Sequence, residues 1–194
     1  MLIRQLERLQ PGSEVPPIQY QWVGYDRISP AMALAVIAAE DQRFLDHWGF
    51  DFQAIAQAIE DNSITGTMRG ASTISQQVAK NLFLWSGRSY LRKGLEALIT
   101  LCLEALWPKK RILEVHLNIA EFGNGIYGVH AASTRFFGVT PDRLRPPEAA
   151  LLAAVLPSPR HFAANKPSPY LQTRARWITR HMDKLDGVRL LKRL

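Results

Sequence analysis

Helix punctuation constrains this chain more than any other feature. Ser29-Pro30 and Ser168-Pro169 each put a capping hydroxyl before a proline that suits the first helical position. Thr73 and Gln76 stand at the spacing of a capping box. After each signal, apolar residues recur at helical rather than strand spacing. The pattern predicts a first helix from Pro30 that runs through Glu40-Asp41 until Gly49 breaks it, and further helices over 51–60, 73–83, 89–107, 109–122, 129–137, 146–156 and 169–185. Pro108, Pro157, Gly49, Gly87 and Gly138 separate them. Residues 62–72 read as loop, and 1–28, with Pro11, Gly12, Pro16 and Pro17, as an irregular lead-in. No convincing strand alternation appears, although a small hairpin would fit within 12–28 or 60–70. The expected fold is mostly α, with one domain over 29–194.

Length and charge narrow the field. A chain of 194 residues makes one domain with a real core. The single Cys102 excludes an internal disulfide framework. The longest apolar run, Ala31 to Ala39 around Met32, is nine residues and far too short to cross a membrane. No signal-peptide core appears at the N-terminus, so the expectation is either a cytosolic protein or an anchor that lies upstream. Lys and Arg total 24 against 17 Asp and Glu, a net +7 that suits an anionic partner. The five histidines show no ligand spacing, so no protein-built metal site is expected. No phosphate-binding loop or nucleic-acid signature appears.

Three stretches carry chemistry. Glu40 ends the apolar face of Met32, Val36 and Ala39, where desolvation would raise its pKa toward that of a general base. The alternative is a solvated helix end. Arg92 and Lys93 share a helix face with Glu96, yet lie in a first turn where the helix dipole disfavours cations. With Arg88 just upstream, they fit an anion such as pyrophosphate. The alternative is a surface ion pair. Gly70 to Gln77 gathers small residues, hydroxyls and amides, including Ser72, Thr73, Gln76 and Gln77, with Lys80 and Asn81 one turn later. A capping box explains Thr73 and Gln76 by itself, but not the second glutamine. Leu82-Phe83-Leu84-Trp85 is expected to pack into the core rather than into lipid. Two carboxylates beside anion-binding features suggest glycosyl chemistry.

Together these segments resemble the peptidoglycan glycosyltransferase family. It comprises the monofunctional biosynthetic transglycosylases and the glycosyltransferase modules of class A penicillin-binding proteins. Glu40-Asp41-Gln42-Arg43-Phe44 with His47 and Gly49 looks like the first motif, and Gly70 to Gln77 with Lys80-Asn81 like the second. Arg88-Ser89, Arg92-Lys93 and Glu96 look like the third. Lys109, Ile112-Leu113-Glu114 and Leu117-Asn118 look like the fourth, and Ala131-Ala132, Phe136-Phe137 and 148–153 like the fifth. His116 stands where the fourth motif usually has Tyr, and Val139 where Lys often follows the paired aromatics.

The resemblance implies a lysozyme-like fold and polymerisation of lipid II into β-1,4-linked glycan, with release of undecaprenyl pyrophosphate. It makes Glu40 the general base and Glu96 its catalytic companion near the pyrophosphate. Asp41, Phe44, Ser72, Thr73, Gln76, Gln77, Lys80, Asn81, Arg88, Arg92 and Lys93 become substrate-binding. No cofactor is required by the sequence; a divalent cation, Mg or Mn, at the pyrophosphate stays open. Implied partners are lipid II, the nascent strand, the membrane surface and other cell-wall synthesis or division proteins, with no nucleic acid. The implied place is the periplasmic face of the bacterial inner membrane. The rival readings are a lytic muramidase and a non-enzymatic binder of anionic surfaces.

Overall fold

The computed structural model describes residues 16–65, 72–85, 87, 89–185 and 187–194. Among these the architecture is mostly α, as expected. Helix α1 (Pro30–Glu40) starts where Ser29 caps it, Oγ accepting from the Ala31 N–H at 3.3 Å. Alanine-rich and buried on most sides, it packs against α7 (Pro146–Val155) and α8 (Pro169–Lys184). Ala35 and Ala38 of α1 and Ala149, Ala150, Ala153 and Ala154 of α7 are all fully buried. Small side chains on both helices allow this close approach, and Leu152, Leu171 and Ile178 fill the space around them.

A second layer is built on α3 (Ile74–Phe83), which packs against α4 (Tyr90–Leu106) and α5 (Lys109–Ile119). The capping box of Thr73 and Gln76 forms as expected. Between α5 and α6 (Gly128–Phe137) lies a hairpin of β2 (Glu121–Gly123) and β3 (Ile126–Tyr127). The lead-in supplies β1 (Gln19–Tyr20), parallel to β3, giving the order β1-β3-β2. The strands have two or three residues each, too few for a period-2 signal. Gly128 has φ +78°, and a Cβ there would sit 2.6 Å from the Asn118 carbonyl oxygen. The fold closes with α9 (Gly187–Lys192), which the sequence pattern did not suggest.

Four expectations need correction. Helix α1 ends at Glu40, and turns rather than helix follow as far as Gly49. Helix α2 (Phe52–Thr65) runs beyond residue 60, and its apolar positions Phe52 and Ile59 face outward rather than into the core. Leu82, Phe83 and Trp85 are exposed, not core. Periodicity puts Leu95, Leu98, Ile99 and Cys102 on one apolar stripe of α4, and only part of it is covered: Leu95 and Ile99 are half-buried. Leu98 and Cys102 are exposed, whereas Glu96, Thr100, Leu103 and Glu104 are buried.

Candidate active site

Glu40 is the last residue of α1, and the tight packing of that helix carries it below the surface. Burial pushes its carboxyl pKa up; a hydrogen bond from Gln77 and the charges of Arg174 and Lys80 pull the other way, and Asp41 pushes with burial. Gln77 Nε2 donates to Glu40 Oε2 at 2.8 Å. Among the described residues nothing hydrogen-bonds Oε1; Arg174 Nη2 lies 3.8 Å from it. The carboxylate is therefore hydrogen-bonded through Oε2 alone, while the buried Oε1 has only the Arg174 charge beside it. This excludes the reading of Glu40 as a solvated helix end.

A cleft of about 1030 Å³ opens beside it. Glu40, Asp41, Ser72, Thr73 and Gln77 line this cleft, so the first two expected motifs meet there. Sequence reasoning missed the opposite wall of Tyr170, Thr173, Arg174 and Trp177, which comes from α8. No local signal marks Arg174: an arginine at this helical position reads as solvated face. Arg43 and Asp51 also line the cleft and pair at 3.2 Å.

Several expected substrate contacts are satisfied inside the protein instead. Asp41 is 2% exposed; its Oδ1 meets His47 Nε2 at 2.8 Å, and its Oδ2 accepts the Ile74 N–H at 3.0 Å. Phe44 is fully buried, with Lys109 Nζ 4.6 Å from its ring centre. Thr73 donates to the Gly49 carbonyl at 2.7 Å, and Gln76 Oε1 accepts the Thr73 N–H at 3.0 Å. Gly49 itself has φ +84°, and a Cβ there would press on Thr100 at 2.8 Å. Asp41 and Thr73 line the cleft with their polar groups already paired, whereas Phe44 and Gln76 do not line it.

The third motif forms a cluster at and on α4, and none of its described residues lines this cleft. Glu96 is buried and receives Arg92 Nη1 at 3.0 Å and Lys93 Nζ more closely. It is an ion pair, as the alternative reading had it, but with a buried carboxylate. Ser89 caps the helix, its Oγ accepting the Arg92 N–H at 3.1 Å. Lys93 is about half exposed, whereas Arg92 is largely covered and its Nε has no hydrogen-bond partner among the described residues. Lys80 and Asn81 are exposed on α3, with Lys80 close enough for its charge to act on Glu40. Gly70 and Arg88 lie outside the described residues. In the fourth motif Asn118 grips the lead-in: Oδ1 accepts the Val23 N–H at 2.8 Å, and Nδ2 donates to the Val23 carbonyl at 2.9 Å. Glu114 accepts the Tyr25 N–H at 3.0 Å. Both roles are structural.

The family model described as Transglycosylase matches residues 10–183. The chain belongs to the transglycosylase family. It is 55% identical over 194 residues to the biosynthetic peptidoglycan transglycosylase of Citrobacter koseri, spanning 100% of this chain and 80% of that protein. The protein of the same name in Klebsiella oxytoca is 57% identical over 188 residues, 96% of this chain and 78% of its own. That of Escherichia coli is 59% identical over 167 residues, 86% and 69% respectively. The family's lysozyme-like all-α fold accords with the helical layers around Glu40.

Proposed function

We propose that Glu40 is the general base of a peptidoglycan glycosyl transfer, the activity of this family, and that it works through its free Oε1. The observation that carries this reading is the asymmetry of the carboxylate. Oε2 is tied to Gln77, while Oε1 is buried, lacks a hydrogen bond among the described residues and lies beside the cleft. A base needs one oxygen fixed and one presented.

The acceptor is the GlcNAc 4-hydroxyl of lipid II; the donor is the growing glycan held at its MurNAc anomeric carbon by undecaprenyl pyrophosphate. The hydroxyl proton passes to Glu40 Oε1 as the hydroxyl oxygen attacks the anomeric carbon. The bond to the pyrophosphate oxygen breaks, and the pyrophosphate leaves with the electron pair. Attack from the face opposite the leaving group inverts the centre and gives a β-1,4 bond. An oxygen lodged between Oε1 and Arg174 can donate its proton to the first and accept from the second. The pyrophosphate is itself acidic, so it needs cations rather than a proton donor. Lys80, Arg92 and Lys93 are the candidates on α3 and α4, with Glu96 orienting the last two. Both Glu96 oxygens already carry cationic side chains, so in this arrangement Glu96 does not fit a divalent metal, and no step is routed through one.

The membrane surface is the proposed second partner. Leu91, Leu98, Leu101 and Leu106 leave an apolar stripe on α4 uncovered, and Phe83 and Trp85, just before it in the chain, are exposed too. An exposed patch of this size seeks an apolar phase, and a polyprenyl substrate places the reaction beside one. Action on the periplasmic side of the inner membrane, alongside other wall-synthesis and division proteins, follows from the same reading. Among the described residues no helix is long and apolar enough to cross a membrane.

Labelled lipid II in detergent, incubated with the wild type and with Glu40→Gln, tests the proposal. Glycan polymer from the first and none from the second is expected. Polymer from Glu40→Gln would remove Glu40 as base. Cleavage of preformed glycan without polymer would put a muramidase in its place.

A further inference from the structure

Behind Glu40 lies a fully buried histidine that the reaction as written does not use. His116, on α5, meets Gln77 Oε1 through Nε2 at 3.1 Å, so that Glu40, Gln77 and His116 form one chain of hydrogen bonds. Its Nδ1 is buried and has no hydrogen-bond partner among the described residues.

With a neutral imidazole and any Glu40 proton on Oε2, donor and acceptor chemistry allows two consistent settings of this chain. In the first, Glu40 is a carboxylate and accepts from the Gln77 amide NH2; the Gln77 carbonyl then accepts an Nε2–H from His116, leaving Nδ1 bare. In the second, the amide is turned over. A protonated Glu40 donates to its carbonyl, its NH2 donates to a bare Nε2, and the His116 proton sits on Nδ1. The second setting strands a buried N–H; the first strands only an acceptor. An orphaned buried donor is the rarer and costlier of the two. The fold thus favours the first.

We infer that His116 is a positioning residue: as the neutral Nε2–H tautomer it locks the Gln77 amide with its NH2 toward Glu40 and so holds Glu40 in its basic form. This rests on the reading of Glu40 as the base. Burial, assisted by the Lys80 charge on α3, pulls the His116 pKa down to about 4, so the ring stays neutral through the working range. The charged groups acting on Glu40 itself are Arg174 on α8, Lys80 on α3 and Asp41 at the end of α1.

Two measurements on the full chain test this. In 15N-histidine-labelled wild type, the His116 ring should show a protonated Nε2 and a bare Nδ1, unchanged from pH 8 to about pH 5. A protonated Nδ1, or a cationic ring near neutral pH, overturns the inference. In kinetics, His116→Leu frees the amide to turn over, and the acid limb of the polymerisation rate should move up by about one pH unit. Rates then differ by about tenfold at the acid end and converge at high pH. His116→Gln, whose amide nitrogen stands near the place of Nε2, should return the limb. An unmoved limb in a folded His116→Leu protein overturns the inference; if that variant does not fold, the nitrogen shifts of the wild type decide. Should Glu40→Gln still polymerise, the base assignment fails instead, whatever His116 does.

Discussion

Asp41 Oδ2 accepts the backbone N–H of Ile74 at 3.0 Å, tying the residue after Glu40 to the first turn of α3. The same carboxylate meets His47 through its other oxygen. Glu40 and the helix that carries Gln77 are therefore registered by one buried side chain. Asp41→Ala should cost about 1–3 kcal/mol, since it leaves a buried N–H unpaired. For a chain of this size that lowers Tm by roughly 3–10 °C in a thermal melt. The polymerisation rate should fall as well, because the Gln77–Glu40 distance is no longer fixed. A raised KM with unchanged Tm would instead make Asp41 a substrate ligand.

Glu40 should trade stability for activity. Its folded carboxyl is held above the ordinary value of 4.5, so folding takes up a proton. The resulting penalty is absent below the ordinary value and grows as pH rises through the higher folded value. Glu40→Gln removes the charge. Its Tm should exceed that of the wild type at pH 7.5, and the gain should vanish near pH 4. Polymerisation in the same variant should fall by about 10²–10⁴-fold. A variant both inactive and less stable at pH 7.5 would point to a structural role.

The parts of the fold written in local sequence were legible. Ser29, Ser168 and the Thr73–Gln76 pair announce helix starts because a cap is satisfied within three residues of itself. Glu40 stood out because it ends an apolar run. Gln77 and His116 meet across separate helices, and Arg174 reaches Glu40 from the far end of the chain. Such contacts depend on how layers stack, which no spacing encodes. Helix α4 makes the same point differently. Periodicity located its apolar stripe, but could not say whether protein covers it.

That stripe yields the third prediction. Leu98 and Leu106 are 58% and 77% exposed, while Leu103 on the same helix is 5% exposed. Leu98→Ser with Leu106→Ser should leave Tm within a degree or two, because little protein contact is lost. Co-sedimentation with anionic phospholipid vesicles should nonetheless drop several-fold. Leu103→Ala should do the reverse, costing about 2–5 kcal/mol in stability with vesicle binding intact below its Tm. A large Tm loss in the double serine variant would show that the stripe packs on protein.

Glu96 holds two cations that the proposed reaction needs in place. Glu96→Gln keeps the shape but removes the counter-charge from a largely covered Arg92. The uncompensated guanidinium should lower stability, mainly through Arg92, since Lys93 is half in water and its pairing is screened. Activity should fall further than stability explains, with kcat reduced more than KM, if the two cations stabilise the leaving pyrophosphate. Equal loss at Glu96→Gln and at an exposed control such as Lys192→Gln would leave Glu96 with no catalytic part.

Arg174 gives the sharpest separation of charge from packing. Its guanidinium lies 3.8 Å from Glu40 Oε1 and lowers the pKa that burial raises. Arg174→Met keeps the length and removes the charge. The folded Glu40 pKa then climbs further, so two effects should share one cause. The acid limb of the rate profile moves up, and Tm falls at pH 7.5 while changing little near pH 4. Combining Arg174→Met with Glu40→Gln should cancel most of the Tm loss, because no carboxylate remains to be left unbalanced. If the double variant is as unstable as Arg174→Met alone, the arginine supports α8 by packing, and the acceptor hydroxyl must find its second partner elsewhere in the cleft.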